Sequence, residues 1–180
     1  MIIRGAESRD AAALAAIYGH HVLHGLGTFE EDAPAEDEMD RRRVAIANHG
    51  LPYLVAEAEG RVLGYAYASP FRQRPGYRFT VEDSVYVAPD ALGKGIGRAV
   101  LSAVLQQCEA LGLRQVMAVI GDSGNTASIG LHRALGFADA GLGRGLGFKF
   151  GRWVDIVFMQ KPLNGGEGRA PDATGLRLGV

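Results

Sequence analysis

The chain has 180 residues, 47% of them apolar and 22% charged, with a formal net charge of −1. That is enough apolar chain for one domain with a real core, and the near balance of charge excludes general attraction to nucleic acid or an anionic membrane. A single cysteine, Cys108, excludes an internal disulfide and a cysteine-built zinc site. No apolar run reaches membrane-spanning length, and the N-terminus turns charged at Arg4, so no leader is expected and a cytoplasmic protein without a metal is.

Met1 to Gly5 reads as a short first strand, with Ser8 as the N-cap of a helix whose apolar face holds Leu14, Ile17, Tyr18 and Val22. His20 and His24 lie four apart on that helix and raise a metal question. With no third ligand suggested, they read as helix-end histidines. Gly25 and Gly27 end the helix, and Thr28, Phe29 and Glu30 fall in the loop that follows. Pro34 with Glu36, Asp37 and Glu38 opens a second helix, since acids suit a first turn. Arg41 to Arg43 read as its solvated face. Tyr53 to Ala58 and Val62 to Ala68 flank Glu59-Gly60 as a hairpin. The loop from Pro70 to Arg78 interleaves Arg72, Arg74 and Arg78 with Phe71 and Tyr77. It reads equally as an anion clamp or as a solvated loop.

The next stretch organises the chain. Val81, Val85, Tyr86 and Val87 favour a strand, Pro89-Asp90 breaks it, and Gly93, Gly95 and Gly97 lead into a helix marked by Ile96, Val100, Leu101, Val104 and Leu105. A glycine turn entering a helix offers backbone N–H groups at the positive end of the dipole, which suits a phosphate. The turn fits neither the dinucleotide fingerprint nor the P-loop. Side chains alternate along a strand, so Glu82, Ser84 and Tyr86 share one face, and Asp83 points to the other, where it reads as structural. Burial beside aromatics would raise the pKa of Glu82 toward a useful base; an exposed strand-start carboxylate is the equal alternative. Val116 to Ile120 is a fifth strand, Asn125 to Leu135 a short helix, and Gly136-Phe137 leads into a strand followed by the last, Trp153 to Gln160. Residues 1–163 read as one domain. Residues 164–180, rich in glycine and without pattern, read as a mobile tail. The order β-α-α-β-β-β-α-β-α-β-β implies an α+β or mixed α/β domain on a single sheet.

Two segments resemble the GNAT N-acetyltransferases. The turn Leu92-Gly93-Lys94-Gly95-Ile96-Gly97 is similar to that family's pyrophosphate turn, with Leu92 in place of its usual polar residue. Asn125, Ser128, Leu131, His132, Gly136 and Phe137 match its downstream signature, with Ser for Ala and His for Tyr. The resemblance covers roughly residues 2 to 162 and implies the GNAT fold, a mostly antiparallel twisted sheet flanked by about four helices. It implies acetyl-CoA as co-substrate. The cofactor would be held by the backbone of Val85, Tyr86 and Val87, by Gly93, Lys94, Gly95, Ile96, Gly97 and Arg98, and by Asn125.

A closer resemblance is to the phosphinothricin acetyltransferase subgroup. It rests on Thr80-Val81-Glu82, on Ser84 to Val87, on the arginine-rich loop, on Leu131 to Phe137 and on the segment Lys149 to Asp155. It implies Glu82 and His132 as a catalytic pair, since an imidazole titrates where it can relay protons. It also implies an amino-acid acceptor with a second acidic group, of the phosphinothricin or methionine sulfoximine or sulfone type. Arg72, Gln73 and Arg74 would clamp it, Tyr77 and Tyr86 position it, and Phe29 form the wall. A homodimer and a herbicide-resistance activity follow from the same resemblance. Other acceptors (a polyamine, an aminoglycoside, a protein N-terminus) and a non-catalytic acetyl-CoA sensor are the rival expectations.

Overall fold

The computed structural model describes residues 1–178. Its elements run β1 (Ile2–Gly5), α1 (Ala11–His24), α2 (Glu36–Asn48), β2 (Tyr53–Ala58), β3 (Arg61–Pro70), β4 (Thr80–Val87), α3 (Ile96–Ala110), β5 (Gln115–Gly121), α4 (Thr126–Ala134), β6 (Ala138–Lys149) and β7 (Arg152–Pro162). This is the expected order. The seven strands make one sheet in the order β1-β2-β3-β4-β5-β7-β6. Every neighbouring pair is antiparallel except β4 and β5.

The helix α3 stripe of Ile96, Val100, Leu101, Val104, Leu105 and Cys108 is buried as its spacing requires. Its first turn comes down on the sheet at Gly64, where a Cβ would lie 2.9 Å from the Tyr86 carbonyl oxygen and 3.1 Å from an Ile96 methyl. Any side chain at Gly64 would lift the helix. On the other face, α1 buries Leu14, Ile17, Tyr18 and Val22. The start of α1 differs from the expected Ser8 cap. Asp10 accepts from the Glu7 backbone N–H at 2.8 Å and from Arg4 at 2.7 and 2.8 Å, while the Ser8 hydroxyl turns to Asp40. A carboxylate already fixed by a guanidinium closes the turn better than a free hydroxyl.

The stretch from Asn164 also differs from expectation. It has little regular structure, yet it lies against the domain through residue 178. Arg114, only 3% exposed, donates from Nε and Nη2 to the Gly166 carbonyl at 3.1 and 2.7 Å, and from Nη2 to Arg169 at 2.9 Å. Leu178 is buried, and the Leu176 N–H reaches the Arg78 carbonyl. A buried guanidinium needs acceptors, and these carbonyls supply them. Residues 179 and 180 lie outside the described part.

Candidate active site

Strands β4 and β5 pair from Thr80↔Gln115 to Asp83↔Ala118 and then separate, although β4 runs on to Val87 and β5 to Gly121. Strand β4 stays paired with β3 on its other edge as far as Val87. Ser84 to Val87 and Val119 to Gly121 thus border a gap, part of a cavity of about 550 Å³. Peptide groups on facing edges too far apart to pair are open to an extended arm that carries amides of its own.

One end of the cavity is the glycine turn. Gly93 and Gly95 have φ of +73° and +77°, a region where L side chains are strained. The first intrahelical bond of α3 runs from the Ala99 N–H to the Gly95 carbonyl, and no side chain caps the helix. The N–H groups of Ile96, Gly97 and Arg98 are therefore free for an anion. Gly93, Gly95, Ile96, Gly97 and Arg98 line the cavity, as do Val85, Tyr86, Val87 and Asn125. Lys94 does not, because its amine folds back onto the Asp90 carbonyl at 2.9 Å. Asn125 caps α4 by accepting from the Ser128 N–H at 3.2 Å. An open strand edge, free amides and a cavity of this size fit acetyl-CoA.

His132 lies at the C-terminal end of α4, 2% exposed, and lines the same cavity. Its partner is not Glu82. Its Nε2 lies 3.0 Å from Asp83 Oδ2, and its Nδ1 lies 2.7 Å from the Ser128 carbonyl oxygen. The Ser128 carbonyl can only accept, so Nδ1 donates to it and Nε2 faces the carboxylate. Burial pulls its pKa down, but the bond and charge of Asp83, helped by Ser128, leave it above the ordinary imidazole value. Glu82 and Asp83 are adjacent on β4, so Glu82 is on the opposite face from this pair. The ring's hydrogen-bond partner on β4 is thus Asp83, while Glu82 stands on the other face of the strand.

Burial raises the Glu82 pKa, the neighbouring Asp83 charge adds to the rise, and Arg72 opposes it. Around this face stand the tyrosines. Tyr18 meets Tyr86 edge-on at 4.9 Å, and Tyr65 lies 5.3 Å from Tyr86. Burial raises the Tyr86 hydroxyl well above its usual range, so it stays protonated. Arg72 lies over the Phe71 ring at 4.2 Å, and Phe71 meets Tyr77 edge-on at 5.8 Å. Gln73 and Arg74 are exposed. The expected acceptor residues Phe29, Arg72, Gln73, Arg74 and Tyr77 thus lie outside the cavity wall, with Arg72 alone close enough to act on Glu82.

Two cavity residues escaped the sequence reading. Asp83 alternates away from Glu82, and that alternation alone gives no sign of its meeting with α4. His21 lines the cavity, and its Nε2 donates to the Val87 carbonyl at 2.9 Å. Burial lowers its pKa, so the ring is held neutral. Its place three residues after Tyr18, on the buried stripe of α1, was the available signal. Among the described residues, no group of three His, Cys, Asp or Glu is arranged to hold a metal. No described helix is long and apolar enough to cross a membrane.

Residues 20–137 match the model of the acetyltransferase (GNAT) family. Over 94% of its length, the chain is 52% identical to the phosphinothricin N-acetyltransferase of Alcaligenes faecalis, covering 86% of that protein. It is 42% identical to the L-methionine sulfoximine/L-methionine sulfone acetyltransferase of Salmonella typhimurium, covering 96% of this chain and 99% of the relative. The crystal structure of the Sinorhizobium meliloti phosphinothricin acetyltransferase in complex with AcCoA superposes with a TM-score of 0.91 at 50% identity, covering 94% of this chain and 92% of the other.

Proposed function

This chain belongs to the GNAT acetyltransferase family, and on that footing we propose that it moves the acetyl group of acetyl-CoA to the amino group of a small amino-acid-like acceptor of the phosphinothricin or methionine sulfoximine type. The observation that carries this reading is the placement of Glu82. It is a carboxylate of raised pKa on the paired part of β4, outside the cavity wall and two residues before the strand's edge toward β5 opens at Ser84, with Arg72 near enough to bias it.

The β4 edge and the amides of Ile96 to Arg98 bind the cofactor's arm and pyrophosphate, and Asn125 steadies the other side. A β4 N–H facing the gap donates to the carbonyl oxygen as charge gathers there. Glu82 takes one ammonium proton, directly or through water; the amine adds to the thioester carbonyl, and the C–S bond breaks as the second amine proton passes to the leaving thiolate, giving the amide and CoA thiol. His132, its ring held between Asp83 and Ser128, contributes with Asp83 as a fixed pair beside the gap. Arg72 and Arg74 receive the second acidic group of the acceptor, with Gln73, Tyr77, Tyr86 and Phe29 around it.

The chain acts as a cytoplasmic homodimer in this reading, and cells making it resist phosphinothricin; both follow from the subgroup resemblance. Light scattering on the purified protein tests the dimer. The test of the activity is thiol release from acetyl-CoA across phosphinothricin, methionine sulfoximine, methionine sulfone, plain amino acids, spermidine and an aminoglycoside. Release with the acidic analogues alone is expected. Release with the cations alone would overturn the acceptor class, and tight acetyl-CoA binding with no release would favour a sensor.

A further inference from the structure

The loop between α1 and α2 crosses the open end of the split. Gly25, Leu26 and Gly27 line the cavity. The loop backbone rests directly on the end of β5, because a Cβ at Gly121 would overlap the Leu26 carbonyl oxygen. Phe29 lies flat against β6, where a Cβ at Gly147 would overlap its ring. Inside, the loop joins the tyrosine cluster: the Thr28 hydroxyl pairs with the Tyr18 hydroxyl at 2.8 Å, and Glu30 accepts from Tyr18 at 2.9 Å.

What pins this loop from outside is Lys149. It is 1% exposed, and its amine donates to the Gly25 carbonyl at 3.0 Å and the Thr28 carbonyl at 2.8 Å. It sits on a stiff base. The two residues joining β6 to β7, Phe150 and Gly151, both have positive φ, +51° and +73°, the pattern of a tight hairpin turn. The amine also lies 4.9 Å from the Phe150 ring centre. Among the described residues, no carboxylate bonds it. Glu30 is held by Arg42 at 2.7 Å and by Tyr18, and burial pulls the Lys149 pKa down against the more distant charges of Glu31 and Glu30. A buried ammonium with only neutral acceptors is a costly way to fill space, which a methionine would fill more cheaply.

We propose that Lys149 is a positioning residue: its amine ties the 25–31 loop down as a roof over the open β4–β5 split, and so sets Phe29 as the wall against which the acceptor is held. The proposal rests on the acetyltransferase reading for the acceptor, though not for the roof itself. Lys149 touches no reacting atom. It works through Gly25 and Thr28, whose carbonyls bracket the stretch that lines the cavity.

The test uses the full chain with Lys149→Met and, as a route that leaves the amine in place, Gly147→Ala, which displaces the Phe29 ring. Hydrogen–deuterium exchange is measured alongside kinetics with methionine sulfone. In Lys149→Met, exchange is expected to rise at least tenfold across residues 25–31 and to stay unchanged in the 93–98 turn. The acceptor KM is expected to rise about tenfold in both variants, with acetyl-CoA affinity, which draws on Gly25 to Gly27 only in part, falling by clearly less. Lys149→Met combined with Phe29→Ala should lose little more than either alone, because both remove one wall. Unchanged exchange in 25–31 would overturn the proposal, and so would fully additive losses or an equal fall in acetyl-CoA affinity. A parent protein with no turnover would sink the acetyltransferase reading, while the exchange experiment would still decide the roof.

Discussion

Asp83 and His132 form a buried pair across two elements, with Asp83 Oδ2 3.0 Å from Nε2 and both side chains at most 3% exposed. The second oxygen, Asp83 Oδ1, is buried without a hydrogen-bond partner. The pair sits where the β4–β5 ladder ends, since Asp83 and Ala118 are its last rung.

Asp83→Asn removes the charge that keeps the His132 pKa above its ordinary value. A histidine raised on folding adds stability that is complete below its unfolded pKa, about 6.5, and is lost as pH rises through the folded value. The variant is therefore expected to lose most stability at pH 5 to 6, on the order of 3 kcal/mol, and progressively less above. Denaturant melts across pH, with the His132 ring followed by NMR, check this. An unmoved ring titration would contradict the pairing.

Glu82 carries the same sign in a different pH window. Its folded pKa is raised by burial and by Asp83. In the window between the ordinary carboxylate value and the raised one, the folded state holds the extra proton, so stability falls as pH rises through it. Glu82→Gln is expected to cut kcat by about 10²- to 10⁴-fold and yet to melt higher than the parent at neutral pH. A slower but less stable variant would speak for a structural carboxylate.

Arg72 opposes the rise in the Glu82 pKa. Arg72→Ala is expected to shift the acid limb of kcat/KM to higher pH and, separately, to raise the acceptor KM about thirtyfold, as for a lost charged hydrogen bond. Seeing the second change without the first would place Arg72 at the acceptor but away from the base.

Gly95→Ala forces a Cβ into φ of +77° at the entrance to α3. The expected stability loss is about 1 kcal/mol, with acetyl-CoA affinity falling at least about tenfold as the amide cradle of the turn is disturbed. Calorimetry separates the two effects. Unaltered affinity would mean that the turn does not hold the pyrophosphate.

The order of elements and the α3 stripe were legible because both depend on local periodicity and turn chemistry. Ile96, Val100 and Leu101 declare their face within one turn of helix, and Gly93 and Gly95 declare positive φ. The partner of His132 was not legible. Alternation places Glu82 and Asp83 on opposite faces, but which face meets α4 depends on how the chain crosses over after β5. His21 and Lys149 were missed for a related reason, since their acceptors at Val87 and Gly25 lie 66 and 124 residues away. The last segment read as loose because its anchor, Arg114, sits in another element, and its backbone carbonyls have no sequence signature.

The early end of the β4–β5 ladder has a consequence for turnover. The peptide groups of Ser84 to Val87 and Val119 to Gly121 along the gap would meet the carrier's arm whether or not its sulfur bears an acetyl group, and only the loaded form adds a carbonyl for the β4 N–H. On the proposed reading, spent carrier and loaded carrier would compete for one berth. Either one, at a hundred times its Kd, would stiffen the fold by about 2.7 kcal/mol. The enzyme would then slow as free CoA accumulates, and its pace in a cell would follow the ratio of acetylated to free carrier more closely than the amount of either.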